Sequence, residues 1–128
     1  MSPPFKPSGY NAVSPYLVVA GAQRMIDFLK TVFGAKELRR YDNGDGTIMH
    51  AEVMIDDSVV MMGDASAEFP ANKLLIHVYV ADVDAVFAKA LAAGATVDQQ
   101  PQHKPGDPDR RGSFKDFAGN VWSVATQQ

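Results

Sequence analysis

The chain contains no cysteine among its 128 residues, which excludes disulfide staples, thiolate metal sites and a cysteine nucleophile while leaving the cellular compartment open. It has no apolar run approaching the roughly 20 residues that cross a bilayer. Its opening, MSPPFKPSGY, has no apolar core of the kind a signal peptide carries, so no membrane partner and a cytoplasmic location are expected. Positive charge is short as well. With 12 Lys+Arg against 15 Asp+Glu and a pI near 5.5, there is no basic field to attract a nucleic acid. Also missing are a phosphate-cradling glycine loop, a serine nucleophile elbow and a DNA-reading helix. The partners left are a small-molecule ligand and a second copy of the chain.

What is present is an ordinary globular composition, 46% hydrophobic and 21% charged, at a length suited to one domain that buries about two thirds of its unfolded surface. Residues 1–13 hold Pro3, Pro4, Pro7 and Gly9 without periodicity, which predicts an irregular arm. Residues 14–128 then read as a single domain whose plan is stated twice, in a module at about 14–65 and another at about 74–126. Each begins with a short apolar strand, Ser14 to Val19 and Leu74 to Val80. A helix follows, with apolar residues at helical spacing: Met25, Ile26, Leu29, Val32 and Phe33 in the first, Val83, Val86, Phe87, Ala90 and Leu91 in the second. Gly34 and Gly94 end the helices, and Asp82 is a suitable N-cap for the second. Three further strand-like segments complete each βαβββ unit: Lys36 to Tyr41, Thr47 to Ile55 and Ser58 to Met62, then Ala95 to Gln99, Ser113 to Lys115 and Val121 to Thr126. Residues 101–112, with three prolines and two glycines, read as a loop. The matching spacing of Val19-Ala20 with Val80-Ala81 and of Gly34-Ala35 with Gly94-Ala95 marks an internal repeat.

Period two assigns the faces of these strands. Ile76, Val78 and Val80 suit the side covered by a helix, leaving Leu75, His77 and Tyr79 on the other. Met49, Ala51, Val53 and Ile55 likewise suit the helix side, leaving His50, Glu52 and Met54 opposite. Ser14, Tyr16, Val18, Val59, Met61, Val121, Ser123 and Ala125 join the open face, and Trp122 falls in the core. A face with apolar walls and a few polar groups is the composition of a small-molecule cavity.

The segments SPYLVVAGAQRMIDFLKTVFGAKELRR, DGTIMHAE, IHVYVADVDAVFAKALAAGA and RRGSFKDFAGNVWSV, in this order and spacing, resemble the vicinal oxygen chelate superfamily, also called the glyoxalase/bleomycin-resistance/dioxygenase family, and its PhnB-like branch. The resemblance implies an α+β fold of two tandem βαβββ modules in a curved, cupped, eight-stranded mixed sheet, usually as a homodimer. It also maps the family's metal-ligand positions to Ser14, Met61, Leu75 and Ser123. Two serines, a methionine and a leucine do not offer the imidazoles and carboxylates a divalent ion takes, so no metal and no cofactor is expected there. The family's usual DPFGN or DPFGH turn stands here as Asp116-Phe117-Ala118-Gly119-Asn120.

Function then divides three ways. The first reading is a metal-free binder similar to the family's drug-sequestering, bleomycin-resistance members. The second is a lyase or isomerase acting on a small carbonyl compound, with His50, Glu52 or His77 in proton transfer. The third is a metal-dependent enzyme of lactoylglutathione lyase or dioxygenase type with a displaced site. Ligand contacts are expected from Ser14, Tyr16, Met54, Met61, Leu75, Tyr79 and Ser123, and from Arg110 and Arg111 as an anion clamp on the rim. Beside these stands the plain alternative that the histidines merely hydrogen-bond with Tyr16, Tyr79 and Glu52.

Overall fold

The computed structural model describes residues 4–128. Its elements run β1 (Tyr16–Val19), α1 (Ala22–Phe33), β2 (Lys36–Asp42), β3 (Ile48–Ile55), β4 (Ser58–Asp64), β5 (Leu75–Tyr79), α2 (Val83–Ala92), β6 (Thr96–His103), β7 (Asp109–Lys115) and β8 (Val121–Gln127). The βαβββ plan is therefore present twice. The eight strands form two four-stranded mixed sheets, ordered β1-β4-β3-β2 and β5-β8-β7-β6, rather than one hydrogen-bonded eight-stranded sheet. In each sheet the first strand pairs parallel with the last, Tyr16 opposite Met61 and His77 opposite Ser123, and the other pairings are antiparallel. No helix among the described residues is long and apolar enough to cross a membrane.

Both helices form for local reasons and are then fastened from a distance. Helix α1 buries Met25, Ile26, Phe28, Leu29 and Val32 along one stripe. It stops at Gly34, whose φ of 66° is the left-handed conformation that glycine adopts without a Cβ clash. Its start has no side-chain cap of its own. The cap comes from Asp64 at the end of β4, whose Oδ1 accepts from the backbone N–H groups of Gly21 and Ala22 at 3.0 and 2.9 Å. Helix α2 is capped by Asp82, which accepts from the N–H of Ala85, and its first residue, Val83, donates to Thr126 Oγ1 of β8 at 2.9 Å. The same solution serves both modules: the last strand satisfies the first turn of the helix.

One core joins the modules. Phe33 of α1 packs on Trp122 and Phe114 of the second sheet, with ring centroids 5.4 and 6.3 Å apart, and Phe28 and Phe87 approach Phe114 at 6.2 and 6.1 Å. Phe114 and Trp122 are fully buried, as the parity of β8 predicts for Trp122. The Trp122 indole N–H donates to Asp116 Oδ2 at 2.9 Å, and the Oδ1 of Asp116 accepts from the N–H groups of Ala118 and Asn120. A buried carboxylate thus organises the turn before β8 and takes up the polar end of the central aromatic.

Two expectations from the sequence are corrected. The loop is only 104–108, not 101–112: β6 continues through Pro101 to His103, and β7 begins at Asp109, so Arg110 and Arg111 lie on a strand. Proline is tolerated because β6 is the edge of its sheet and its register slips between Gln99 and Gln102. The second correction is Met49. Tyr41 pairs with His50 but Asp42 pairs with Ile48, so Met49 sits in a bulge. Ile48 turns inward, with 2% of its surface exposed, and Met49 turns out at 57%.

Candidate functional site

Period two places Tyr16 of β1, Met61 of β4 and Glu52 of β3 in one row across the first sheet, since Tyr16 pairs with Met61 and Met61 with Glu52. His50 stands two residues before Glu52 on the same face. These positions close a hydrogen-bonded chain. Tyr16 Oη meets His50 Nδ1 at 2.9 Å, His50 Nε2 meets Glu52 Oε2 at 2.8 Å, and Tyr10 of the N-terminal arm donates to Glu52 Oε1. Glu52 is only 4% exposed. Burial pushes its carboxyl up, but the hydrogen bonds from His50 and Tyr10, with the charges of His50 and Arg39, outweigh burial and hold it below the usual carboxylate range. Glu52 is therefore an ionised acceptor. His50 donates to it through Nε2, and Nδ1 shares the hydrogen bond with the Tyr16 hydroxyl. Burial, and then the Glu52 charge, push the Tyr16 phenol above its ordinary value. The Tyr10 phenol is raised too, first by its bond to Glu52.

Above this chain is a cavity of about 820 Å³ lined by Tyr16, Val18, Met49, His50, Asn43, Asn72 and the connector residues Asp64, Ser66, Glu68 and Phe69, with Gly63 in its floor. Tyr41 stacks on His50 at 6.2 Å and Tyr16 lies 5.5 Å from the same ring. Gly63 is required here, because a Cβ would stand 2.6 Å from the Met49 carbonyl oxygen. Asp64 is committed to structure: besides capping α1 it accepts from the Ile48 N–H at 2.7 Å. Burial raises its carboxyl, and the three backbone donors together bring it below the usual value.

The other sequence-chosen residues are spread over different surfaces. His77 hydrogen-bonds Ser123 Oγ at 3.0 Å and meets Tyr79 edge-on at 4.8 Å. Both His77 and Tyr79 line a second cavity of about 470 Å³ between the modules. Met54 and Tyr79 share a third, which adjoins the second at Ile55, Asp56 and Tyr79. Leu75 is 74% exposed on the open face of the second sheet, while Ser14 and Met61 are half-buried and line none of these cavities. His50 and His77 thus belong to different sheets and do not converge. Arg111 is on the open face but grips Asp107 through two N–H groups at 2.9 and 3.2 Å and reaches Asp109 at 3.1 Å. Arg110 is a correction. Strand parity turns it to the helix face, where it forks onto Asp84 of α2 with both contacts at 2.9 Å, so it is not on the cup rim.

Several residues of the site, in the cavity wall or bonded to Glu52, are not marked by the sequence pattern. Tyr10 lay in the arm, Met49 was assigned to the helix side, and Glu68, Phe69 and Asn72 belonged to the connector. The one local signal is Phe69, the single aromatic of the 64–73 connector and 62% exposed.

A divalent cation does not fit the donors present. The mapped positions Ser14, Met61, Leu75 and Ser123 supply no imidazole or carboxylate. Among the described residues no three His, Asp or Glu side chains converge into a set able to hold an ion. His50 and Glu52 spend their facing atoms on each other.

Three comparisons bear on identity. A protein of Mycobacterium bovis with no assigned function is 37% identical over 124 residues, covering 88% of this chain and 81% of its own. TioX from Micromonospora sp. ML1 superposes with a TM-score of 0.72 at 30% identity, covering 92% of this chain and 97% of that one. TnmS3, an antibiotic binding protein from Streptomyces sp. CB03234, shares the fold with a TM-score of 0.69 at 22% identity over 93% of this chain and all of its own. With its paired modules and a family model matched over residues 10–124, the chain belongs to the Glyoxalase/Bleomycin resistance protein/Dioxygenase superfamily.

Proposed function

We propose that this protein binds a small organic molecule in the cavity over Tyr16 and His50, in the manner of the superfamily's antibiotic-binding members and without a divalent metal. The observation that carries the reading is the cavity itself. At about 820 Å³ it falls within the roughly 300–1,000 Å³ of small-molecule sites, and its aromatic and sulfur-bearing walls surround a few polar groups. The fold neighbour TnmS3, an antibiotic binding protein, and membership of the superfamily support it. Within the superfamily we place the chain in the PhnB-like branch, on the sequence segments quoted above. We assign it a cytoplasmic location and a homodimeric state. Leu75, Tyr79 and Val97 lie exposed on the second sheet, and β5 is a short edge strand of that sheet.

The second reading, a lyase or isomerase, draws on the Tyr16–His50–Glu52 relay. It is disfavoured by geometry: His50 spends both ring nitrogens on Tyr16 and Glu52, so neither is left to face a substrate proton. A thermal-shift screen against hydrophobic antibiotics and small carbonyl metabolites tests the choice. An antibiotic that raises the melting temperature of the wild type, is recovered unchanged, and loses its effect in Tyr16→Ala supports the binder. Turnover of a carbonyl compound that His50→Ala abolishes would refute it, and light scattering that finds a monomer at micromolar concentration would remove the dimer.

A further inference from the structure

Resting on the small-molecule reading above, the geometry points to a narrower ligand class for this cavity: a flat, largely apolar molecule that carries a protonated amine. The polarity of the lining comes from where each hydrogen is already used. The ionised Glu52 takes the His50 Nε2–H, and Tyr16 Oη shares one hydrogen bond with His50 Nδ1. Whichever of the two supplies that proton, the phenol oxygen keeps at least one unused lone pair for the cavity. Asn72 is held against β1, its Oδ1 accepting from the Val18 N–H at 2.9 Å and its Nδ2 donating to the Tyr16 carbonyl at 3.0 Å, which leaves it one neutral N–H donor and no charge. Glu68 has no hydrogen bond or ion pair among the described residues and stands beside Phe69 at the mouth. Neither lysine nor arginine lines the cavity, and the guanidinium groups of Arg110 and Arg111 are engaged elsewhere. An anionic ligand would meet an unpaired carboxylate and a phenol oxygen with no compensating donor charge. A cationic one meets two acceptors, with Tyr16, His50, Phe69 and Met49 for its flat body.

The test compares three tricyclic probes of similar size on the full chain at low salt: proflavine as the cation, acridone as the neutral form and acridine-9-carboxylate as the anion, each followed by fluorescence titration. Proflavine should bind roughly tenfold more tightly than acridone, and the carboxylate more weakly than both. Glu68→Gln, on an exposed site that leaves folding intact, should weaken proflavine by about three- to fivefold and leave acridone unchanged. Equal affinities, a preference for the anion, or a Glu68→Gln variant that binds all three as the wild type does would overturn the assignment. Acridone binding without a proflavine advantage removes the cationic class but keeps the small-molecule site. Failure of all three probes alongside an empty antibiotic and carbonyl screen removes both.

Discussion

Glu52→Gln isolates the interaction on which the site depends. Glutamine matches glutamate in size, so packing is kept and only the charge and one acceptor atom are lost. The wild-type carboxylate, 4% exposed, receives His50 Nε2–H on one oxygen and the Tyr10 hydroxyl on the other. In the variant one of those donors faces an NH₂ group and the other bond becomes neutral. Losing a hydrogen bond to a charged group costs about 1.5–3 kcal/mol. For a chain of this length, intermediate between the size classes that lose about 2–4 and 4–8 °C per kcal/mol, the melting temperature should fall by roughly 6–12 °C at pH 7. The penalty should also depend on pH. Because the folded-state carboxyl is held below its ordinary value, the unfolded chain binds more protons than the folded one across that interval. The stabilisation is therefore complete above the unfolded value of about 4.3 and is lost as the pH falls through the folded one. Circular-dichroism melts of both proteins at pH 7, 5, 4 and 3 should show the gap narrowing toward acid. A variant that melts within 2 °C of the wild type at pH 7, or a gap that stays constant with pH, would refute the ionised, doubly bonded Glu52.

Gly63→Ala should destabilise the protein by about 1–3 kcal/mol in urea denaturation and weaken probe binding, because the new methyl would meet the Met49 carbonyl at 2.6 Å and displace the bulge that turns Met49 outward. Asp116→Ala leaves the buried Trp122 N–H and the amides of Ala118 and Asn120 without their acceptor; at about 1–3 kcal/mol per orphaned group, the melting temperature should fall by more than 10 °C, with Asp116→Asn recovering part of the loss. Phe33→Ala should cost about 3–5 kcal/mol in one cooperative transition for both modules, since Phe33 packs on Phe114 and Trp122 of the other repeat; separate transitions followed by tryptophan fluorescence and by circular dichroism would show two independent cores.

The duplicated βαβββ plan was legible because its signals are local. The apolar stripe of α1, the left-handed glycine at 34, the Asp82 cap and the alternation of β5 each act within a few residues, and each stands in the structure. Glu52 and His50 were likewise found on the open face of β3 by counting in twos. The same count failed at Met49, where one extra residue in the ladder reverses the face of the side chain. It failed differently at Pro101, a residue that argues for a loop but is tolerated on an edge strand.

The residues by themselves determined the paired modules, the shared core with Trp122 inside it, and the unsuitability of Ser14, Met61, Leu75 and Ser123 as cation ligands, since periodicity, caps and donor chemistry belong to short stretches or single side chains. Tertiary structure decided which groups share a space. Tyr10 reaches Glu52 across 42 residues and Asp64 caps a helix 42 residues earlier. His50 and His77 are parted onto separate sheets, and the connector forms the cavity wall. Such meetings are set by how the sheets and their connections pack in space, and no pattern within a strand or helix records them.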